Sequence, residues 1–244
     1  MRNDGLPGSR FPAPPWSFPN RDEFADYRGP HQLPAGPVLV VGAGSSGADI
    51  AVELARDHSV ILSGRHPGQI PWRIGRTSTR ALDLLAFFAF SHVLTIATPP
   101  GRRMRTRSLA HSGPLIRVKT RDLVAAGVDR APRTAGVADG RPVLGDGRVP
   151  EVASVIWCTG YTPDHSWIDL PVLDADGSLI HERGVCPTAP GRYALGQMFQ
   201  YALASSMVHG VGRDAAYLAD RIEERTAGRG ESGRGRRQTP SISR

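Results

Sequence analysis

The chain has 244 residues, of which 40% are hydrophobic and 22% charged, with a formal net charge of +7. That balance belongs to ordinary globular chains and excludes the disordered and membrane-spanning classes. All thirty basic residues except Lys119 are arginines scattered along the sequence, and residues 226–244 carry five of them against one glutamate. The charge therefore reads as an arginine bias plus a basic, disordered tail at 226–244, and no nucleic-acid partner is expected.

Cys158 and Cys186 lie far apart without a C-x-x-C, and the start, Met1-Arg2-Asn3-Asp4-Gly5, does not resemble a secretory signal. A reducing, cytoplasmic location is the expectation. No histidine or cysteine spacing suits a metal, so none is expected.

In chain order, residues 1–36 hold many prolines and no hydrophobic period, which predicts an extended arm or linker. Val38-Leu39-Val40-Val41 is a continuous apolar run ending in glycine, the pattern of a strand buried on both faces. A helix is predicted over Ser45 to Arg56, then a strand over Val60-Ile61-Leu62, completing a βαβ unit. The apolar stretch from Leu84 to Ala97 is 14 residues long. It is short of the roughly 20 needed to cross a bilayer. It reads as a buried or half-buried helix, with an interfacial membrane contact through Phe87, Phe88 and Phe90 as the alternative. Leu115 to Val118 predicts a strand and Thr120 to Gly127 a short helix closed by its glycine. Asp139-Gly140 and Asp146-Gly147 bracket short strands joined by turns. Val152 to Trp157 predicts another buried strand, Arg192 to Gly196 a last short one, and Val211 to Arg225 a helix.

Gly42-Ala43-Gly44-Ser45-Ser46-Gly47 matches G-x-G-x-x-G in the strand–turn–helix context that the motif requires. Gly42 would make the tight turn, Gly44 would let backbone approach a pyrophosphate, and Gly47 would let helix and strand pack closely. The phosphate would sit on the helix N-terminus near Ser45 and Ser46. At the end of the second strand the sequence reads Ser63-Gly64-Arg65-His66, with no acid to accept from a ribose. A hydroxyl and a guanidinium there favour NADPH over NADH, the alternative being a surface arginine in an arginine-rich chain.

Several stretches together resemble one family, the flavin-containing monooxygenase-like NAD(P)H- and FAD-dependent oxidoreductases, in their bacterial flavoprotein branch. They are Pro37 to Ala55, Leu62-Ser63-Gly64-Arg65 with Gln69-Ile70-Pro71, Val155 to Tyr161 through Pro163-Asp164, and Tyr201 to Ser206 through Gly210 to Asp214. The resemblance implies an α/β, Rossmann-type NADPH domain at 37–150 inserted into an FAD-type domain that returns at 151–225. Thr159 and Gly160 would lie at the crossing between the two, and Gly196 to Tyr201 near the flavin. It further implies hydride transfer from NADPH to FAD, then oxygen activation on the reduced flavin and oxygenation of a small-molecule substrate.

Members of that family begin with a first glycine loop that holds the FAD pyrophosphate, and none precedes Gly42 in this sequence. The family's histidine ahead of the NADPH domain has Glu23 in its place. The expectation is an N-terminally shortened chain that binds NADPH, with a partner chain supplying the missing FAD-binding half. Such a chain would expose apolar surface around Trp157, Phe199 and Tyr201. The alternatives are a nonenzymatic NADPH-binding module and an inactive truncated homologue.

Overall fold

A computed structural model describes residues 21–23, 27–110, 113–160 and 163–234. The strands are β1 (Arg21–Glu23), β2 (Val38–Val41), β3 (Val60–Ser63), β4 (Asp129–Ala131), β5 (Thr134–Ala138), β6 (Arg141–Leu144) and β7 (Ser154–Trp157). The helices are α1 (Ser45–Leu54), α2 (Arg80–Phe88), α3 (Pro99–Ala110), α4 (Thr120–Ala125) and α5 (Val211–Arg234). Five strands form one parallel sheet in the order β1-β7-β2-β3-β4, while β5 and β6 pair as an antiparallel hairpin.

The chain divides into two compact units. The first comprises residues up to Asp83 together with Ala110–Asp164, and the second comprises Leu84–Leu109 with residues from His165 onward. These borders do not follow the expected division at 150/151: β7 lies beside β2 in the first unit, with Val38 to Val41 in register with Ser154 to Trp157.

In the first unit, alternate residues of β2 feed different cores, as strand geometry dictates. Val38 and Val40 pack with Leu54, Leu62, Leu123 and Ile156, whereas Leu39 and Val41 pack with Leu144, Val155 and Trp157. Both faces are covered, which is why β2 has no polar positions. The Asp139-Gly140 turn joins β5 to β6 with φ of 50° and 71°, the left-handed pair that suits a two-residue hairpin.

In the second unit the Arg183 guanidinium lies between two rings, 4.2 Å from the centroid of Tyr201 and 3.8 Å from that of Tyr217. Buried Asp214, in the first turn of α5, stands 3.9 Å from it. Arg213 donates to the Ser91 carbonyl and lies beside the His92 ring, and Phe87 packs on His209.

Several expectations need correction. Leu115 makes only an isolated bridge to Gln69 instead of opening a strand, because the Lys119 ammonium reaches the Leu115 and Ile70 carbonyls and the chain turns into α4. Tyr193 likewise contributes one bridge, to Val185. The apolar stretch from Leu84 ends its α-helix at Phe88 and continues as a π-helical turn over Ala89–Val93, with Leu84, Leu85 and Phe88 exposed rather than buried. Trp157 and Phe199 are themselves buried, while Leu195 and Met198 beside Phe199 are exposed; Tyr201 is half-buried beneath Arg183. Within the expected arm, Arg21–Glu23 pairs with β7 as an edge strand. Residues 1–20 and 24–26 of that arm lie outside the described residues. Helix α5 runs on to Arg234, into the expected tail, of which 235–244 lie outside the described residues.

Candidate nucleotide site

The site forms where the parallel strands end. From β2 the chain passes through α1 to β3 on one side, and β7 lies on the other. The carboxyl end of β2 is thus the point where strand order reverses, the place at which open α/β sheets carry their binding crevice. Three backbone hydrogen bonds tie these ends together. Gly42 N–H donates to the Ser63 carbonyl at 2.8 Å, Cys158 N–H to the Val41 carbonyl at 2.7 Å, and Gly64 N–H to the Ala131 carbonyl at 3.1 Å.

The glycine loop is as tight as its sequence suggests. Gly42 has φ 112°, and a β-carbon there would lie 2.2 Å from the Cys158 carbonyl oxygen. A β-carbon on Gly64, at φ 148°, would lie 2.8 Å from the Ala43 nitrogen. The turn after β3 therefore rests directly on the loop after β2, a relation that no local motif reveals. Gly44 caps α1 with extended dihedrals and no side-chain cap, and the first intrahelical bond runs from Ala48 N–H to its carbonyl. The N–H groups of Ser45, Ser46 and Gly47 have no partner among the described residues, and both serines are exposed. Such a terminus attracts an anion through its free donors and the helix dipole.

The remaining expected site residues are divided. Thr159 and Gly160 follow β7 half-buried, with the Thr159 nitrogen 3.3 Å from the β-carbon that Gly42 lacks. Arg65 is exposed and makes no hydrogen bond or ion pair among the described residues, directly after the Gly64 contact. Ser63 is the exception. It is fully buried, its hydroxyl donating to the Pro132 carbonyl at 2.7 Å and lying 2.9 Å from the Thr134 hydroxyl. That side chain faces into the unit and has no donor left for a phosphate; only its carbonyl serves the loop.

Sequence reasoning missed the residues that brace the turn after β3. His66 Nδ1 accepts from Gly68 N–H at 2.9 Å, so a neutral ring presents Nε2–H to the Thr120 hydroxyl 2.8 Å away. Thr120 in turn donates to Gln69 Oε1 at 3.1 Å. It also missed Arg130, whose guanidinium is 3.5 Å from the Gly64 carbonyl and whose Nε is buried without a partner. Burial holds the Arg130 pKa below its ordinary value. Asp122, beside this brace, is held below the usual carboxylate range by the Lys119 N–H at 2.9 Å, with the Arg73 guanidinium at 2.6 Å adding to it. Along the flank of α1 lies an open cavity of about 660 Å³ lined by Tyr27, Ser46, Asp49, Glu53 and Arg117. There Tyr27 donates to Glu53, and burial together with that carboxylate raises the phenol pKa.

The parallel α/β fold is shared with flavin monooxygenases of known structure. A flavin-containing monooxygenase from Stenotrophomonas maltophilia superposes with a TM-score of 0.53 at 21% identity, over 90% of this chain and 59% of that one. A double mutant of the flavin monooxygenase from the same organism gives a TM-score of 0.57 at 21% identity, over 88% of this chain and 59% of the other. In sequence, an uncharacterized CzcO-like oxidoreductase of Geobacillus kaustophilus is 37% identical over 199 residues, 80% of this chain and 55% of that protein. An uncharacterized oxidoreductase, CzcO, of Bacillus subtilis is 30% identical over 209 residues, 83% of this chain and 57% of the relative. No protein-family model matches the chain. In sequence the chain is thus similar to CzcO-type oxidoreductases, and in fold to flavin monooxygenases. It spans little more than half the length of the curated relatives it matches.

Proposed function

We propose that the first unit is a Rossmann-type NADPH-binding unit of a flavin-dependent, monooxygenase-type oxidoreductase. The observation that carries this reading is the convergence, at the carboxyl ends of β2 and β3, of three N–H groups at the start of α1 that have no partner among the described residues with the Gly64 backbone pressed on the loop. In this reading the N–H groups of Ser45, Ser46 and Gly47 hold the pyrophosphate, and Arg65 pairs with the ribose 2′-phosphate. When bound, NADPH supplies a hydride for a flavin. The role of this chain is to bind the dinucleotide and orient it at the strand ends.

The FAD pyrophosphate finds no second such loop among the described residues, and the sequence has no second G-x-G-x-x-G ahead of Gly42. No step on flavin is therefore assigned to this chain. The reading places the FAD-binding half on a partner chain, and the small-molecule substrate with the assembled pair. The single loop also supports a second reading, a nonenzymatic module that binds NADPH alone.

The test is a thermal-shift titration of the purified chain with NADPH and NADH, repeated for Arg65→Ala, with visible absorbance recorded after adding FAD. Saturable stabilisation by NADPH that drops more than that by NADH in the variant supports the assignment. Equal losses for both would remove Arg65 from the 2′-phosphate. A bound-flavin spectrum bleached by NADPH would show that this chain carries the FAD site after all. NADPH stabilisation without flavin binding fits both the partner-chain reading and the bare module.

A further inference from the structure

Helix α2 is amphipathic in the unusual sense. Its acidic residue, Asp83, is buried, accepting from Trp72 Nε1–H at 2.8 Å and from Gly75 N–H at 2.9 Å. The apolar residues face outward: Leu84 is 62% exposed, Leu85 65% and Phe88 57%. Spaced at i, i+1 and i+4, these three share one face, which His92 extends by stacking on Phe88 at 4.7 Å and exposed Val93 closes. Exposed apolar residues in a contiguous stripe mark an interaction surface.

The next element identifies what would cover it. The Thr98 hydroxyl donates to the Val93 carbonyl at 2.6 Å, and the Thr98 carbonyl accepts from Arg102 N–H at 3.0 Å, so the stripe ends where α3 begins. Helix α3 carries Arg102, Arg103, Arg105 and Arg107, all exposed and none in an ion pair among the described residues. The sequence has no Asp or Glu between Asp83 and Asp122. An outward apolar stripe followed in the chain by guanidinium groups that have no carboxylate partner among the described residues complements a surface that is apolar below and anionic above.

We propose that residues 84–107, all in the second unit, form a peripheral docking surface for an anionic lipid bilayer. The apolar stripe of α2 would enter the headgroup boundary and the α3 arginines would pair with lipid phosphates. Among the described residues no helix is long and apolar enough to cross a membrane, so the contact lies in the interface plane. This inference is independent of whether the glycine loop binds NADPH.

The experiment is co-sedimentation of the chain with vesicles of phosphatidylcholine alone and of phosphatidylcholine with phosphatidylglycerol, at low and high salt. Binding is expected on the anionic vesicles, weakened by salt and weak on the neutral ones. Leu85→Glu with Phe88→Glu should abolish it. Arg103→Gln and Arg107→Gln should each weaken it roughly fivefold, the value of one interfacial cation. Circular dichroism and thermal melting of each variant establish that it is folded. Absence of wild-type binding to anionic vesicles, or binding that survives the double glutamate substitution, overturns the proposal. So does a wild-type chain that ignores vesicles but dimerises in sedimentation equilibrium while the glutamate variant is monomeric; the stripe would then belong to a second copy.

Discussion

The β-carbon that Gly47 lacks would stand 1.9 Å from the carbonyl oxygen of Gly42. The two glycines are therefore one device: Gly42 turns the chain out of β2, and Gly47 lets α1 return close enough to present its N-terminus above that turn. A methyl group at 47 cannot be absorbed by a side-chain rotation, because the atom it meets is backbone. Gly47→Ala should lower stability by about 1–3 kcal/mol, the usual range for overpacking. Ser46→Ala, at an exposed neighbour, should stay within about 0.5 kcal/mol of the parent. Urea denaturation of the two variants checks the pair, and equal midpoints would contradict the close packing.

Asp83 joins α2 to the segment around Trp72 through both carboxylate oxygens. Asp83→Ala strands two donors, and each donor left unsatisfied on burial costs about 1–3 kcal/mol. Asp83→Asn keeps an oxygen acceptor for one of them and should fall about midway. A loss for alanine no larger than that for asparagine would show that only one bond matters. Chemical denaturation followed by circular dichroism distinguishes these outcomes.

Much of this fold was legible because its first unit obeys strong local rules. Val38 to Val41 reads as a strand covered on both faces since every position enters one core or the other. The glycine spacing anticipated the close return of α1 on Gly42 through Gly47, whereas the approach of Cys158 to Gly42 follows from the pairing of β7 with β2. What local rules could not show was direction. Ser63 sits at the right place along β3, yet side chains alternate across a strand, and its hydroxyl falls on the Pro132 side. The same limit hid the outward turn of Leu84 and Leu85: periodicity identifies an apolar face, and only the fold decides which way it points. Arg130 escaped notice because its proximity to Gly64 is created by strand pairing between β3 and β4, across nearly seventy residues.

Asp122 gives a pH signature. Its carboxyl is held below the ordinary range, first by the Lys119 N–H and also by Arg73. A depressed folded-state pKa contributes stability that is present above the unfolded value, near 4. That contribution is lost as pH falls through the folded pKa. Asp122→Asn should therefore be less stable than the parent at pH 7, with the gap narrowing as pH falls below about 4. Denaturation midpoints across that range test this; a constant gap would assign the effect to packing instead of charge.

Cys158 bears on the same strand ends from the opposite side of the pH scale. Burial pushes its thiol up to about 12, and burial also raises Cys186. Since the thiolate is the reactive form, both cysteines should resist iodoacetamide at pH 8 in the native chain and react readily once it is unfolded. A raised folded-state pKa contributes stability that is fully present below the unfolded thiol value, about 8.5. It is lost as pH rises toward 12. The parent should thus weaken above about pH 9 more steeply than Cys158→Ala, which has no thiol to ionise at that position. Alkylation counted by mass spectrometry, with melting temperatures from pH 7 to 10.5, reads both effects. Rapid native labelling of Cys158 would mean that the loop carrying Gly42 opens far more readily than its three strand-end hydrogen bonds allow.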